Sequence, residues 1–220
     1  RLLSGLEYLI NNKKITYING NAKFKDKKTI KVLYNKKEEI YNSDIFIIST
    51  GSIPKNPKNI MPDNNIIYDS DGILQLSNLP KSILIVGGGY IGIEFAFFFN
   101  SLGSEVTIVE DQKSILSVMD TEIINELKKN FKGKGIKIEE NSKVSINKKN
   151  ENHIDVNINN SKFFYEKILV ATGRQPLTEG LDIELLDIKL NNKNFIITDS
   201  NYKTNIENIF AIGDVTEGPM

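Results

Sequence analysis

The feature that most constrains the fold is a glycine-rich turn between an apolar strand and a helical segment. The strand, residues 83–86, reads ILIV, and the run GGGYIG at residues 87–92 follows it directly. A second apolar strand, residues 106–109, comes after the helical segment and is followed by Glu110. Two strands joined by a helix form the βαβ unit of a parallel sheet. The sequence therefore predicts an α/β chain with a Rossmann-like domain around residues 81–110.

The glycines of this turn fit the pattern G-x-G-x-x-G at Gly87, Gly89 and Gly92. In that pattern the first glycine allows a tight turn, the second lets the backbone approach a pyrophosphate, and the third lets the helix pack closely on the strand. The unpaired N–H groups and the positive end of the helix dipole attract the phosphates without a basic side chain. The pattern predicts a dinucleotide site at residues 87–94.

The acid after the second strand distinguishes between two cofactors. Glu110 can accept hydrogen bonds from the adenosine ribose of NAD, whereas the 2′-phosphate of NADP would meet Glu110 and Asp111 together. Two unit charges about 4 Å apart repel by ~1 kcal/mol in water and ~4 kcal/mol near a protein surface. Lys113 is the only nearby cation in the sequence, and a lone lysine is usually solvated. We therefore expect NAD.

The alternative is that the glycines only mark a turn from a strand into a helix. An isolated G-x-G-x-x-G would leave that alternative open. Here both strands are present and Gly103 supplies a return turn. Glu110 also follows Gly87 at a distance in sequence that suits the fingerprint, which requires an acid ~20 residues on. This context favours dinucleotide binding.

Composition excludes several classes of function. The 28 basic and 28 acidic residues balance, so no net charge favours nucleic acid or an anionic membrane. No apolar run approaches the roughly 20 residues of a membrane-spanning helix, and we expect neither nucleic acid nor membrane as a partner. Cysteine is absent, and the one histidine, His153, lies in a polar turn, so we expect no metal site and no catalytic residue.

The rest of the chain alternates between strand and helix patterns. Leucine and isoleucine recur at helical spacing in residues 1–11, and a period of two then predicts a β-meander of four strands at residues 15–18, 22–24, 29–34 and 39–49. Asp120 is a predicted cap for a helix at residues 121–132. Four more strands are predicted at residues 136–139, 144–147, 154–158 and 163–170.

Two segments repeat a pattern. IFIISTGS at residues 45–52 and KILVATGR at residues 167–174 are apolar strands that stop at Thr-Gly, and the first is apolar on both faces, which predicts a central strand. A strand that ends in Thr-Gly lets the backbone approach a ligand at the edge where open α/β sheets bind theirs. Near the end, IFAI at residues 209–212 leads into Gly213 and Asp214. Two similar nucleotide-binding lobes are predicted.

The ordered set STGS, GGGYIGIE, VTIVE, ATGRQP and IFAIGDV resembles the FAD-dependent pyridine nucleotide-disulfide oxidoreductases. The ending GDVTEGPM is most similar to the members of that family that oxidise a dihydrolipoyl group. The resemblance implies partial FAD-domain segments at residues 1–70 and 195–220, the first containing the β-meander, and an NAD-binding domain at residues 71–194. It covers essentially the whole chain.

Three parts of such enzymes have no counterpart in this sequence. They are the N-terminal glycine fingerprint for the FAD adenosine, a Cys-x4-Cys redox pair and a C-terminal dimerisation domain with its His-Glu pair. The resemblance therefore implies an internal segment of a longer protein, a homodimer in its full-length form. The segment itself is expected to be inactive.

The resemblance also implies which residues contact the cofactors. For NAD they are Gly87, Gly88, Gly89, Tyr90, Ile91, Gly92, Ile93, Glu94, Glu110, Val144 and Gly173. For FAD they are Ala22, Thr50, Gly51, Ser52, Asp214 and Met220. Glu94 resembles an acid near the nicotinamide, but an acid in the first turn of a helix also stabilises the helix dipole by ~0.3–1 kcal/mol. Tyr90 resembles a residue that covers the flavin and moves when NAD enters, or it is a packing residue.

The function implied by the resemblance is oxidation of a dihydrolipoyl group on an acyltransferase or carrier protein. Electrons would pass through a cysteine pair and FAD to NAD. Another family member, such as an NADH oxidase, a peroxidase or a different disulfide reductase, is the alternative within the family. A module that binds NAD without catalysis is the alternative outside it.

Overall fold

The computed structural model describes residues 2–150 and 152–218. The chain divides into two compact units, one formed by Arg1–Ser52 with Pro176–Met220 and the other by Ile53–Gln175. The predicted domains, assigned by cofactor, are divided instead at residues 70 and 194, and that assignment stays a prediction. In the described part of the chain, no helix has the length and apolar character needed to cross a membrane.

Three α-helices and fifteen strands build the described chain. The helices are α1 (Leu2–Asn12), α2 (Tyr90–Ser101) and α3 (Thr121–Gly133). The strands are β1 (Asn21–Asp26), β2 (Thr29–Tyr34), β3 (Lys37–Asn42), β4 (Phe46–Ile48), β5 (Ser52–Pro54), β6 (Ile67–Asp69), β7 (Ser82–Val86), β8 (Glu105–Val109), β9 (Lys137–Glu139), β10 (Val144–Lys149), β11 (Ile154–Ile158), β12 (Ser161–Tyr165), β13 (Lys167–Val170), β14 (Arg174–Pro176) and β15 (Ile209–Ala211). Short 3₁₀ helices span Gly72–Gln75, Ile183–Leu186 and Gly213–Val215.

A five-stranded parallel sheet organises the unit Ile53–Gln175. Its strand order is β6-β13-β7-β8-β9, so β7 lies between β13 and β8. Ile83, Leu84 and Ile85 of β7 are fully buried, as expected for a central strand covered on both faces. The α/β class with a parallel sheet, predicted from the sequence, is confirmed.

Each face of this sheet packs against a different layer. Ile83 and Ile85 belong to a core that includes residues of α2 and α3, whereas Leu84 belongs to a core shared with the antiparallel strands β10, β11 and β12. This arrangement follows from the alternation of side chains along β7. Burial of each such isoleucine or leucine contributes about 1.5–3 kcal/mol, so the two cores hold β7 and its glycine turn in place.

Helix α2 buries only part of its aromatic cluster. Phe99 is buried and Phe95 packs against the core beside it, whereas Phe97 and Phe98 are 48% and 53% exposed. Residues in a helix turn by ~100° each, so adjacent aromatic residues cannot all face the sheet. Of these four aromatic residues, only Phe95 and Phe99 therefore pack in the core of this unit.

The unit that includes Arg1–Ser52 contains helix α1, the antiparallel sheet β1-β2-β3 and the parallel pair β4 and β15. The predicted strand at residues 15–18 is wrong, since no strand forms there, and the strand predicted at residues 39–49 is two strands, β3 and β4. Between them the Ser43 hydroxyl donates to the carbonyl of Ile45. Ile47 is 61% exposed, so the expectation of a buried central strand is also wrong for the described chain.

In the other unit, the single strand predicted at residues 163–170 is wrong. Residues 161–165 form β12 of the antiparallel sheet, and residues 167–170 form β13 of the parallel sheet. Glu166 separates them: its carboxylate accepts the Lys81 N–H at 2.8 Å and its own N–H donates to the Ser82 hydroxyl at 3.1 Å. The cap predicted at Asp120 is confirmed, since its side chain accepts the N–H of Glu122.

Candidate dinucleotide site

The glycine turn begins at the carboxyl end of β7, between the ends of two neighbouring strands. Gly87 has φ +111°, a conformation that favours glycine, and its N–H donates to the Val109 carbonyl at 2.8 Å. A side chain at Gly87 would collide with the Ala171 carbonyl, which follows β13. The position therefore requires glycine for two independent reasons.

The other two glycines of the pattern have different environments. A Cβ at Gly92 would overlap the Gly87 carbonyl, so glycine lets α2 pack directly on the turn. A Cβ at Gly89 would meet no heavy atom within 4 Å. Gly89 is the N-cap of α2, has an extended backbone and makes no side-chain cap hydrogen bond. The helix N-terminus therefore faces open space beside Gly89, and the first N–H groups of an α-helix have no partner within the helix.

Glu110 lies directly against this turn. Its Oε2 accepts the Gly88 N–H at 2.6 Å and its Oε1 accepts the Gln112 N–H at 2.8 Å. A carboxylate has about four acceptor positions, so two of them are left for the hydroxyl groups of a ribose. The structure thus brings together Glu110, which follows β8, and the glycine turn, which follows β7.

The remaining predicted residues of α2 point in two directions. Tyr90 and Glu94, one helical turn apart, are exposed, and the Tyr90 hydroxyl lies 3.5 Å from the sulfur of Met119. Ile91 is half-buried and packs against the core, and Ile93 is buried. Tyr90 and Glu94 can therefore present side chains to a ligand, whereas Ile91 and Ile93 offer mainly backbone.

Gly173 and Val144 were also predicted to contact NAD. Gly173 follows β13 with φ +120°, and its carbonyl accepts the Lys55 N–H at 2.9 Å. The Val144 side chain is buried in the core shared by β10, β11 and β12. Gly173 thus lies at the same edge of the sheet as Gly87, and a role for Val144 would use its backbone.

Two charged residues near the site were missed by the sequence reasoning. Lys128 of α3 and Glu140, which follows β9, form an ion pair of 2.7 Å. Burial alone would raise the pKa of Glu140, but hydrogen bonds from Lys128 and from the Ile115 N–H outweigh it and lower this pKa below its usual range. One signal was available in the sequence. Lys128 lies one helical turn after the apolar residue Ile124, so it is expected near the buried side of the helix, where a lysine needs a partner.

The residues predicted to contact FAD form a second group in the unit that includes Arg1–Ser52. The Ser52 hydroxyl donates to Asp214 Oδ2 at 3.0 Å, and the Thr50 hydroxyl donates to the Leu177 carbonyl at 2.6 Å. Gly51 has φ +72°, and a Cβ there would meet no atom within 4 Å. The structure thus brings Asp214 next to Ser52, which follows Thr50 and Gly51 directly in the sequence.

Two other predicted FAD contacts are not part of that group. Ala22 is exposed on β1, which belongs to the antiparallel sheet. Met220 lies outside the described residues. Within residues 2–150 and 152–218, no group of three or more histidine, cysteine, aspartate or glutamate side chains could hold a metal ion.

Comparison with known proteins identifies relatives of the whole chain. The family model described as pyridine nucleotide-disulphide oxidoreductase matches residues 1–220. The mitochondrial dihydrolipoyl dehydrogenase of Schizosaccharomyces pombe is 37% identical over 227 residues, which are 100% of this chain and 44% of that protein. The dihydrolipoyl dehydrogenase of Geobacillus stearothermophilus is 34% identical over 223 residues, with 100% and 47% covered. The chain thus spans about half the length of the curated relatives it matches.

Solved structures share the fold. The HOCl-induced flavoprotein disulfide reductase RclA from Escherichia coli matches with a TM-score of 0.86 and 30% identity, over 96% of this chain and 48% of that chain. LpdA from Mycobacterium tuberculosis matches with a TM-score of 0.89 over 97% of this chain and 48% of that chain, and its 23% identity supports similarity of fold alone.

Proposed function

Because the chain belongs to the pyridine nucleotide-disulfide oxidoreductase family, we propose that it is the NAD-binding portion, with flanking FAD-domain segments, of a dihydrolipoyl dehydrogenase. Membership of this family, predicted from the ordered motifs, is confirmed, and FAD and NAD are cofactors of the family. In the full-length protein, electrons would pass from a dihydrolipoyl group on an acyltransferase or carrier protein, by way of a cysteine pair and FAD, to NAD.

The observation that carries the proposal is the contact between Glu110 and the glycine turn. The turn offers backbone N–H groups and an open approach at Gly89, which suits a pyrophosphate. The Glu110 carboxylate, fixed by the Gly88 N–H at 2.6 Å, suits the ribose at the adenosine end. The distance between these features is set by the spacing of β7 and β8, which are adjacent parallel strands.

The cofactors supply the hydride chemistry when bound, and the chain supplies binding and orientation. The backbone at Gly89 and the N-terminus of α2 would hold the pyrophosphate, and Glu110 would select a ribose without a 2′-phosphate. Tyr90 and Glu94, two exposed side chains near the start of α2, would face the nicotinamide end. None of the described residues would act as the redox nucleophile, since the sequence has no cysteine.

The FAD contacts are proposed on the same basis. Ser52 and Asp214, joined by a hydrogen bond of 3.0 Å, come from segments far apart in sequence and follow β4 and β15, two parallel neighbours. The carboxyl ends of parallel strands are where such sheets bind ligands. Asp214 would accept hydrogen bonds from the ribityl hydroxyls, and Thr50, Gly51, Ala22 and Met220 would contribute further contacts.

The proposal is tested by calorimetry of NADH and NADPH binding to the full-length protein. We expect NADH to bind at least about fivefold more tightly, since like-charge repulsion of ~1–4 kcal/mol acts only on NADPH. Glu110→Ala should weaken NADH binding and reduce this preference. Glu105→Ala is the control, because Glu105 is exposed at the opposite end of the same strand. Equal affinity of the unmutated protein for both cofactors would rule out the NAD assignment.

A second candidate is a disulfide reductase with another substrate. The likeness to RclA, at 30% identity and a TM-score of 0.86, favours it. NADH-dependent reduction of lipoamide separates the two candidates: turnover supports the dehydrogenase, and turnover of other disulfides without lipoamide supports the alternative. A single cysteine in the preceding sequence would instead favour a peroxidase, and the mass of the full-length protein in solution tests the proposed homodimer.

A further inference from the structure

We propose that the ion pair between Lys128 and Glu140 is a positioning device for Glu110, and that it sets the affinity of the adenosine end of the site for NAD. The inference rests on the proposed function. It depends on one connected path, which runs from the ion pair through the loop at residues 111–119 to the glycine turn and Glu110.

The first step of the path is the pair itself. The side chains of Lys128 and Glu140 are 29% and 22% exposed, and both Glu140 oxygens lie within 2.8 Å of the lysine nitrogen. Lys128 also donates to the Ser114 hydroxyl at 3.0 Å, and Glu140 Oε1 accepts the Ile115 N–H at 2.7 Å. The pair therefore connects α3 and the end of β9 to two consecutive residues of the loop.

The loop conformation needs such support. Leu116 has φ +48°, in the left-handed region that non-glycine residues seldom adopt. A residue in that region keeps its conformation only when surrounding contacts impose it. The bonds to Ser114 and Ile115 act on the two residues immediately before Leu116. Loss of either charged partner would release this constraint.

The second step connects the loop to the glycine turn. The Leu116 N–H donates to the Gly88 carbonyl at 2.9 Å, and the fully buried Ile115 side chain packs against Gly88, where a Cβ would overlap it. Gly88 is thus held on one side by the loop. On the other side its N–H donates to Glu110 Oε2 at 2.6 Å. A shift of the loop would move the peptide that orients the ribose-binding carboxylate.

The side chains of the pair are only one-fifth to one-third exposed, so the loss of one partner leaves a partly buried charge unpaired and lowers stability. The pair between Lys149 and Asp63, with side chains 42% and 32% exposed, has no such connection to the glycine turn. We therefore expect the loss of either pair to lower stability, and only the loss of the pair between Lys128 and Glu140 to weaken NAD binding. This contrast distinguishes a positioning role from a merely structural one, in which binding would fall with stability for both pairs.

The test uses the full-length protein with Lys128→Ala and Glu140→Leu. We expect KM for NAD and the dissociation constant for NADH to rise roughly three- to tenfold, which is the usual size of one coupling between neighbouring residues. The value of kcat should be unchanged, and the unfolding midpoint should fall about as much as in Lys149→Ala. Lys128→Arg should restore binding. The affinity for ADP-ribose should fall in parallel, whereas that for nicotinamide mononucleotide should not.

Lys149→Ala is the matched control, because Lys149 forms an ion pair of the same length, 2.7 Å, with Asp63 elsewhere in the same unit. It should leave NADH binding unchanged. In a Glu110→Ala background, Lys128→Ala should weaken NADH binding no further, since both act through one carboxylate.

Unchanged NADH affinity in Lys128→Ala, or an equal loss with and without Glu110, would overturn the inference and leave the proposed function intact. If the unmutated protein failed to bind NADH, the proposed function would fail and this inference would fail with it.

Discussion

Gly92→Ala separates the structural role of the glycine turn from its binding role. An alanine Cβ at this position would lie 2.0 Å from the Gly87 carbonyl oxygen and 3.3 Å from a methyl carbon of Ile85. Non-bonded heavy atoms pack at about 3.5 Å, so the helix or the turn must move by about 1 Å or more. The first obstacle is backbone, which cannot rotate away as a side chain could.

The expected loss of stability follows from two opposing effects. Overpacking of a close contact costs about 1–3 kcal/mol, and a collision with backbone favours the upper end. Alanine in a helix is better than glycine by about 1 kcal/mol, which offsets part of that cost. The net destabilisation is about 2 kcal/mol, or roughly a thirtyfold increase in the unfolding constant. Urea denaturation of the full-length protein measures this change.

Gly89→Ala is the matched comparison. Gly89 has φ −78° and ψ −175°, which alanine adopts without strain, and its Cβ would meet nothing within 4 Å. We expect a stability loss below about 1 kcal/mol from the poorer N-cap. The same Cβ would stand where the pyrophosphate approaches the backbone, so NADH affinity should fall at least about tenfold, equivalent to ~1.4 kcal/mol.

The two variants should therefore change different properties of the protein, one its stability and the other its affinity for NADH. Gly92→Ala should mainly lower the urea midpoint, and Gly89→Ala should mainly raise the dissociation constant for NADH. If Gly89→Ala bound NADH normally, the open space beside it would not be the phosphate site. If Gly92→Ala were as stable as the unmutated protein, the close packing of α2 on the turn would be refuted.

Two further predictions concern stability. Burial would raise the pKa of Asp63, but hydrogen bonds from Lys149 and from the Ile67, Ile66 and Asn65 N–H groups hold it far below its usual value. A folded-state pKa below the unfolded one gives stability that is present above about pH 4 and lost as the pH falls. Asp63→Asn should thus lower the urea midpoint at pH 7. Between pH 5 and pH 3 the midpoint of this variant should fall less than that of the unmutated protein, and an unaltered pH profile would contradict this. Asp120→Ala should cost about 0.5–2 kcal/mol by removing the cap of α3, and Asp120→Asn should restore most of it.

The central βαβ unit could be predicted because its signals are local. The apolar run of β7, the glycines at residues 87, 89 and 92 and the second apolar strand lie within one short segment. Gly87 and Gly92 are required by backbone geometry or close packing, so their positions in the sequence already indicate the turn. The same holds for Asp120, whose side chain bonds a residue only two positions away.

Other elements could not be predicted because distant residues determine them. Residues 163–170 are continuously strand-like, yet Glu166 divides them between two sheets through bonds to Lys81 and Ser82. Residues 15–18 alternate like a strand, but a strand needs a partner, and the structure pairs β1 with β2 instead. Ile47 has the pattern of a central strand, but β4 pairs only with β15 within the described chain.

The sequence alone determined the dinucleotide turn, the acid that follows the second strand, and the family, since these depend on residue types at short and fixed spacings. The tertiary structure alone decided that the Glu110 carboxylate bonds to the Gly88 N–H, and that Lys128 and Glu140 hold the loop beside it. Such contacts join residues from different strands and helices. Their geometry therefore exists only once the sheet has set the distances between those elements.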